Sequence, residues 1–404
     1  MNFRRITIIF GFIAVVALMG FAIWYVFFYQ PAPPAEELPP INGAPSGLPT
    51  APVGRPVGVV PTAPPVVTPA PVAAPVADGG LTVVTPVTTV STIGAAISSS
   101  GQLNYYNRDD GRFYRLKDDG TAESLSNKQF FSVQEAKFNP RGDAAILTYP
   151  DGAKIYYDFS LARQVTLPRH WEDFDFSTAG DKIVAKSLPI DPAARYLLVA
   201  NPDGSQARAV QALGDNEDKV TVAWSPNNQI IATSETGSKL GVDRQEIYML
   251  GQNQENFRAI TVEGLDFRPM WAPTGQQLLY SVAGSVTDWK PMLWITDAAG
   301  DDIGSNRRML GVYTWADKCA FTDASTLYCA VPNEMPRGAG LQPDVLSTTP
   351  DSIYKIDLST NIRTKIAVPE GDHVVDKLML TPDGRRLYFT DKDSGILNEI
   401  KLAP

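Results

Sequence analysis

Histidine and cysteine, which supply much of enzyme chemistry, are nearly missing: the chain has two of each in 404 residues. His170 and His373 lie in the short polar stretches "PRHWED" and "GDHVVD", just ahead of β-rich runs. That is the setting of an exposed loop histidine rather than of a catalytic base. No G-x-S-x-G nucleophile elbow occurs. The acidic turns Asp118-Asp119-Gly120, Asp203-Gly204 and Asp391-Lys392-Asp393-Ser394-Gly395 lack the spacing of glycine and glutamate that an EF-hand loop needs. They read as hairpin tips, where Asp-Gly supplies positive φ. The expectation is therefore a protein with no catalytic residue, no metal and no cofactor.

Basic character is also scarce. The net charge is −9, and no stripe of Lys and Arg appears that would neutralise phosphates. A nucleic-acid partner is excluded on that ground. No Asn-x-Ser/Thr sequon occurs, which fits a bacterial source. Beyond the first thirty residues no convincing helical run is found.

One long apolar run is present. Ile6 to Phe28 carries no charge and at 1.5 Å per residue would span roughly 30 Å of hydrocarbon. It is longer than the apolar core of a cleaved signal peptide, and no small-x-small site follows directly. Arg4 and Arg5 precede it and Glu36 and Glu37 are the first charges after it. The positive-inside rule places residues 1–5 in the cytoplasm and everything after the run outside, with Trp24, Tyr25 and Tyr29 at the outer interface. Residues 29–80 repeat proline every few positions among Ala, Val, Thr and Gly. Such a stretch cannot bury a core and serves as an extended tether.

The remaining chain, 81–404, is built from a repeat. Its members begin ISSSGQ (Ile97), FNPRGD (Phe138), FSTAGD (Phe176), WSPNNQ (Trp224), WAPTGQ (Trp271), FTDAST (Phe321) and LTPDGR (Leu380). Each starts with a large apolar residue, continues through a tight turn and enters a β-rich segment such as AAILTY or RLYFTD. A second hairpin follows each of the first six, for instance LLVANPDGSQARAV from Leu197. Seven units of four strands predict an all-β, seven-bladed propeller of antiparallel blades, preceded by one transmembrane helix and a Pro-rich linker. The last unit is a strand short. Leu81 to Val90, rich in β-branched residues, is expected to supply it, with Pro86 on an outer edge or at a bulge.

The [FW]-S-P-D-G-K type of hairpin, kept in part at Trp224-Ser225-Pro226 and at Pro382-Asp383-Gly384, resembles the TolB-like (WD-repeat-like) propeller family. The resemblance covers residues 81–404 and implies a fold. The family's soluble member with a separate N-terminal domain differs from this anchored chain, so that member's role does not transfer.

Three sets of candidate site residues follow. In an antiparallel blade, the connections between strands two and three share one face with the connections between blades. That face gathers Pro189 to Arg195, Asp215 to Asp218, Ser285 to Pro291 and the longest loop, Pro332 to Thr349. Trp289 and Lys290 in one loop, Met335 and Arg337 in the next, and Trp171 nearby are candidates for a binding patch. The residues three before each signature aromatic include Glu135, Asp173, Arg268, Lys318 and Lys377, charged positions expected to line the central channel. Cys319 and Cys329 would stand opposite each other, either as a disulfide or as two buried thiols. The expected function is non-catalytic binding of a protein partner in the cell envelope or at its surface, on a membrane-tethered scaffold. The alternative is a carbohydrate or small-ligand module, or an enzyme, working through the channel.

Overall fold

In the computed structural model, residues 15, 17–21, 25, 72–117, 119–255 and 257–403 are described. Those in the first group are helical, and otherwise the expected cytoplasmic end, the membrane-spanning segment Ile6–Phe28 and the tether as far as residue 71 lie outside the described residues. No helix among the described residues is long and apolar enough to cross a membrane. The chain divides into two compact units, Met1–Thr68 and Pro69–Pro404, and the second holds every strand among the described residues.

Seven sheets follow one another in chain order. The first strands of the blades are Thr92–Ile97, Glu135–Phe138, Trp171–Phe176, Val220–Val222, Leu265–Trp271, Cys319–Phe321 and Val375–Leu380. Each pairs antiparallel with the strand that follows its signature turn. The turn chemistry explains the motif. In LTPDGR, Gly384 at φ 66° lets the chain reverse, its N–H donating to Thr381 O, while Asp383 Oδ1 accepts from Arg385 N at 3.0 Å. In WSPNNQ, Asn228 takes the left-handed position at φ 59°, and Ser225 Oγ accepts from Ile230 N at 2.9 Å. Asn tolerates that conformation better than other side chains, so the same turn survives without glycine.

Seven apolar clusters fill the seven seams between blades, including the seam that closes the ring. Leu103, Tyr105 and Leu116 of blade one meet Met379, Tyr388 and Leu397 of blade seven, just as Ile230 and Ile247 of blade four meet Leu278 and Tyr280 of blade five. Each fully buried aliphatic side chain contributes about 1.5–3 kcal/mol relative to exposure, and both faces of every sheet are used.

The N-terminal edge segment is divided between two blades. Thr85–Pro86 pairs antiparallel with Leu397–Lys401 as the outer strand of blade seven, with Pro86 on the free edge. Leu81–Thr82 instead pairs parallel with Ile362–Pro369, making blade six a five-stranded sheet. Ordered chain begins before residue 81: Ala77 N donates to Lys401 O and Gly79 N to Ile366 O. The segment thus crosses from one blade to the next between Thr82 and Thr85, and pairing with blade seven continues past Pro86, where Val87 N donates to Leu397 O.

Candidate functional site: the long-loop face

The loops of blades five and six meet. After Gln277–Ala283 of blade five, a single 3-10 turn at Ser285–Thr287 leads to Asp288 and Trp289, both left-handed at φ 55° and 57°. Two consecutive non-glycine residues in that region cost about 1–3 kcal/mol each. Their carbonyls are the acceptors that lock the neighbouring loop in place: Gly338 N donates to Asp288 O and Gly340 N to Trp289 O, both at 2.9 Å. Glycine is required at 340, because a Cβ there would lie 2.4 Å from Ala283 Cβ and 2.8 Å from Trp289 O. Thr287 Oγ1 braces the same turn by donating to Gly284 O or Lys290 O. On the other side, Asp243 Oδ2 in blade four accepts from the N–H and hydroxyl of Ser285, each at 2.7 Å. Those two bonds hold the Asp243 carboxyl below its ordinary range. Three successive blades are thereby joined through their loops.

Within this frame Lys290 Nζ sits 5.3 Å above the Tyr313 ring. Arg337 approaches Asp288 at 3.9 Å, but both are exposed, so the pair adds little stability. Met335 is half-buried against Trp315, Ala339 and Leu346. Tyr313, Val331, Pro332, Met335, Tyr354 and Arg363 line a depression of about 410 Å³ between the two blades. Trp171 does not join the patch. It is buried with Leu167, Phe176 and Ile183 in the seam between blades two and three, since it opens a first strand instead of ending a loop.

The loop face also collects exposed apolar side chains that the repeat pattern does not reveal. Ile190 is 98% exposed, Val242 90% and Val286 72%, and Phe131, Leu240, Leu341 and Val345 are exposed in the same class of connection. On the opposite face, formed by the tight hairpin turns, Leu161 and Ile362 are the counterparts among the described residues. The signal in the sequence was an apolar residue inside a polar loop, as in "LPIDP" and "LGVD".

The charged side chains expected to line the channel form ion pairs. Lys137 Nζ meets Asp175 Oδ1 at 3.0 Å, and Asp175 Oδ2 accepts from Trp224 N at 2.8 Å. Asp173, left-handed at φ 52° in a bulge, pairs with Lys186 at 2.6 Å. Arg268 bridges Asp266 at 3.0 Å and Asp317 at 2.9 Å, with its guanidinium 5.6 Å from the Trp315 ring. Glu135 is exposed on its strand, on the same side as Lys137. Lys377 Nζ donates to Ala95 O at 2.9 Å. Desolvation by the surrounding inner strands, aided by the Lys137 charge, lowers its pKa to about 8, although the side chain stays open to solvent. Asp175 instead raises that of Lys137. Lys318 stands apart from this network: it is buried, and its Nζ binds both oxygens of Asp351 at 2.8 and 2.7 Å. It falls in a 3-10 turn ahead of the strand, so the spacing that fits other blades turns this side chain inward. Burial pushes the Asp351 carboxyl up, against the pull of Lys318. Lys137 and Asp175 were missed by reading one position per strand; a period of two from Glu135 and Asp173 reaches both.

Cys319 and Cys329 are paired across the first hairpin of blade six and joined by a disulfide. His170 is exposed, and His373 Nδ1 lies 3.1 Å from Asp391 Oδ2. Among the described residues no group of three or more His, Cys, Asp or Glu side chains is placed to hold a metal ion.

No family model matches the chain, and no curated protein matches it either. Solved structures do. An oligogalacturonate lyase in complex with manganese aligns with a TM-score of 0.56 at 14% identity, covering 79% of this chain and 93% of that one. An oligogalacturonate lyase from Vibrio parahaemolyticus gives 0.55 at 13% identity, covering 78% and 93%. The β-propeller domain of Myceliophteria thermophila Cps50 (Swd1) gives 0.52 at 9% identity, covering 79% and 99%. At such identities the likeness is one of fold alone: the chain is a seven-bladed β-propeller.

Proposed function

We propose that this chain is a TolB-like propeller held outside the cytoplasm by its N-terminal anchor and Pro-rich tether, and that it binds an envelope or surface protein without catalysing a reaction. The observation that carries this reading is the gathering of exposed apolar side chains on one face. Water does not favour Ile190, Val242, Val286, Leu341 and Val345 in open loops. The loops that bear the last four are fixed to one another by backbone hydrogen bonds and by Asp243, which limits the ordering cost of binding. Trp289, Lys290, Met335 and Arg337 supply aromatic, cationic and flexible contacts at the centre. Paired charges in the channel favour a solvated ion network there over an empty ligand site. The run Ile6–Phe28 and the charges around it support the anchor and its orientation.

Photo-crosslinkers at Trp289 and Arg337 in native membranes, with a control at Arg141 on a tight turn, test the reading. Capture of one discrete protein by the loop positions and not by the control is the expected result. No capture at any position overturns the protein-binding reading and moves attention to the channel, to be tested against glycans and small ligands.

A further inference from the structure

The third strand of blade four, Arg244–Gly251, has its pairing split. Its first half, Arg244–Ile247, pairs with the fourth strand Ile260–Glu263, and its second half, Tyr248–Gly251, pairs with the second strand Ile230–Ser234. The fourth strand is thus shifted toward the loop face by about half its partner's length. Among the described residues Tyr248–Gly251 has a strand neighbour on one side only and no backbone bond from a loop, and the side chains of Glu255 and Phe257 lie over Gly251 at its end. In every other blade the third strand is covered across its outer half by a fourth strand or by continuing backbone bonds. The chain that would fill the gap is instead the polar stretch from Gln252 to the fourth strand, and Gln254 reaches across to donate to Val210 O at 3.0 Å.

A groove of about 530 Å³ runs along this uncovered edge, between it and the outer strand of blade three, Arg208–Ala212. Val210, Tyr248, Leu250 and Phe257 give it apolar walls, and Glu255 is the one charged residue among those lining it. Tyr248 is exposed. The Glu255 carboxylate is held ionised by the N–H and side-chain amide of Asn253, at 2.7 and 2.8 Å.

We infer that the groove between blades three and four takes an extended peptide segment of a partner protein, which adds as a strand to the open edge Tyr248–Gly251. The alternating N–H and C=O groups of a strand edge are matched by another extended backbone, and the four residues offer about 13 Å of it. Apolar side chains at alternate positions of the peptide enter the walls. A Lys or Arg at an intervening position faces Glu255, and a peptide carrying acid there is repelled. Proline at a bonding position is excluded, because it lacks the N–H. The site lies in a different seam from the patch at blades five and six and does not depend on it.

The test uses the purified full chain and a fluorescein-labelled hexapeptide, Thr-Val-Lys-Val-Thr-Val, with blocked ends. Two derivatives carry N-methyl groups on alternate residues, one set on each edge of the extended peptide. Fluorescence anisotropy is expected to show binding of the parent peptide, at least tenfold weaker binding of one N-methyl derivative, and a change under twofold for the other. Amide exchange at Tyr248–Gly251 is expected to slow on binding, and Glu255→Lys to weaken binding severalfold with the melting temperature unchanged. Equal behaviour of the two derivatives, absence of binding at millimolar peptide, or unaltered exchange at these amides overturns the proposal. So does protection of the same amides in peptide-free protein together with dimer formation in the ultracentrifuge, which assigns the edge to a second copy of the chain.

Discussion

Blades six and four are built from the same repeat and are finished in opposite ways. Blade six has five strands, a disulfide across its first hairpin and the buried Lys318–Asp351 pair, whose carboxylate also accepts from Val375 N of blade seven at 2.7 Å. Blade four has no covalent tie, and half of its third strand has no outer neighbour. The core positions are filled equally well in both, with Ile230, Ile231 and Ala232 as buried as Leu327, Cys329 and Ala330. The difference lies at the edges. In a ring of similar units, stability against opening is set where the chain ends must be held, and spare edge is left where nothing needs to be held.

The strongest way to break this comparison is to remove the clasp. Deleting residues 72–88 exposes the outer edges of blades six and seven together and empties the positions of Ala77, Val84 and Val87 in the adjoining seams. Loss of soluble, cooperatively melting protein is expected, read by yield and calorimetry. A truncated chain that melts as the full one does would show that the clasp is dispensable. Next in size is Asp351→Ala, which leaves the Lys318 ammonium buried without its carboxylate and costs about 3–5 kcal/mol in denaturant unfolding. Lys318→Met combined with Asp351→Leu should recover much of that loss, though not the bond to Val375. Replacing both Cys319 and Cys329 by Ser opens a loop with a sequence separation of 10 and is expected to cost about 2–3 kcal/mol. After all three changes blade six would have no more support than blade four has now.

The first strands carry the same asymmetry, since blade four has uncharged Thr221 at the position where most other blades bring ionised side chains. Lys377 is the residue there whose charge is least well supported. Its folded pKa, lowered to about 8, lies below the unfolded value of about 10.4. The unfolded chain therefore binds more protons between those values, and stability rises with pH across that window. Lys377→Met should be more stable than the parent at pH 7, with the gap closing as pH climbs from about 8 toward 10.4. A gap that stays constant with pH would mean that the ammonium is as well solvated in the ring as in the open chain.

Much of this architecture was legible because a repeat states its own grammar. The large apolar residue, the Ser-Pro-Asn-Asn or Thr-Pro-Asp-Gly turn and the alternating strand after it recur because each blade faces the same packing problem. Where one blade departs from the average, the pattern misleads. Trp171 reads as a loop aromatic but opens a strand, and Lys318 falls in a 3-10 turn where the other blades have strand. The division of the closing segment between two blades follows from which edges are free in three dimensions, a fact that no local period encodes. The split strand of blade four was hidden for a similar reason. Burial alternates without a break along Arg244–Gly251, and alternation reports which face is buried but not how many neighbours lie in the plane of the sheet.

The smallest effect is a difference in local opening, visible with no change in total stability. Among the described residues, amides of Tyr248–Gly251 that face away from the second strand have no ladder partner, whereas those of Ile353–Asp357 in blade six are paired on both sides. Native-state exchange should therefore be faster in the blade-four segment by about tenfold to a hundredfold, as expected for a region whose opening breaks fewer contacts. Amides of Arg244–Ile247, in the same strand but under the fourth strand, serve as the internal reference and should exchange like blade six. Should all of Arg244–Gly251 exchange at one slow rate, the strand opens as a unit and the uncovered edge is held by the seam alone. A break in rate at Tyr248 would instead place the boundary of the cooperative unit where the pairing divides, and would leave a segment that can accept a partner strand without unfolding anything else.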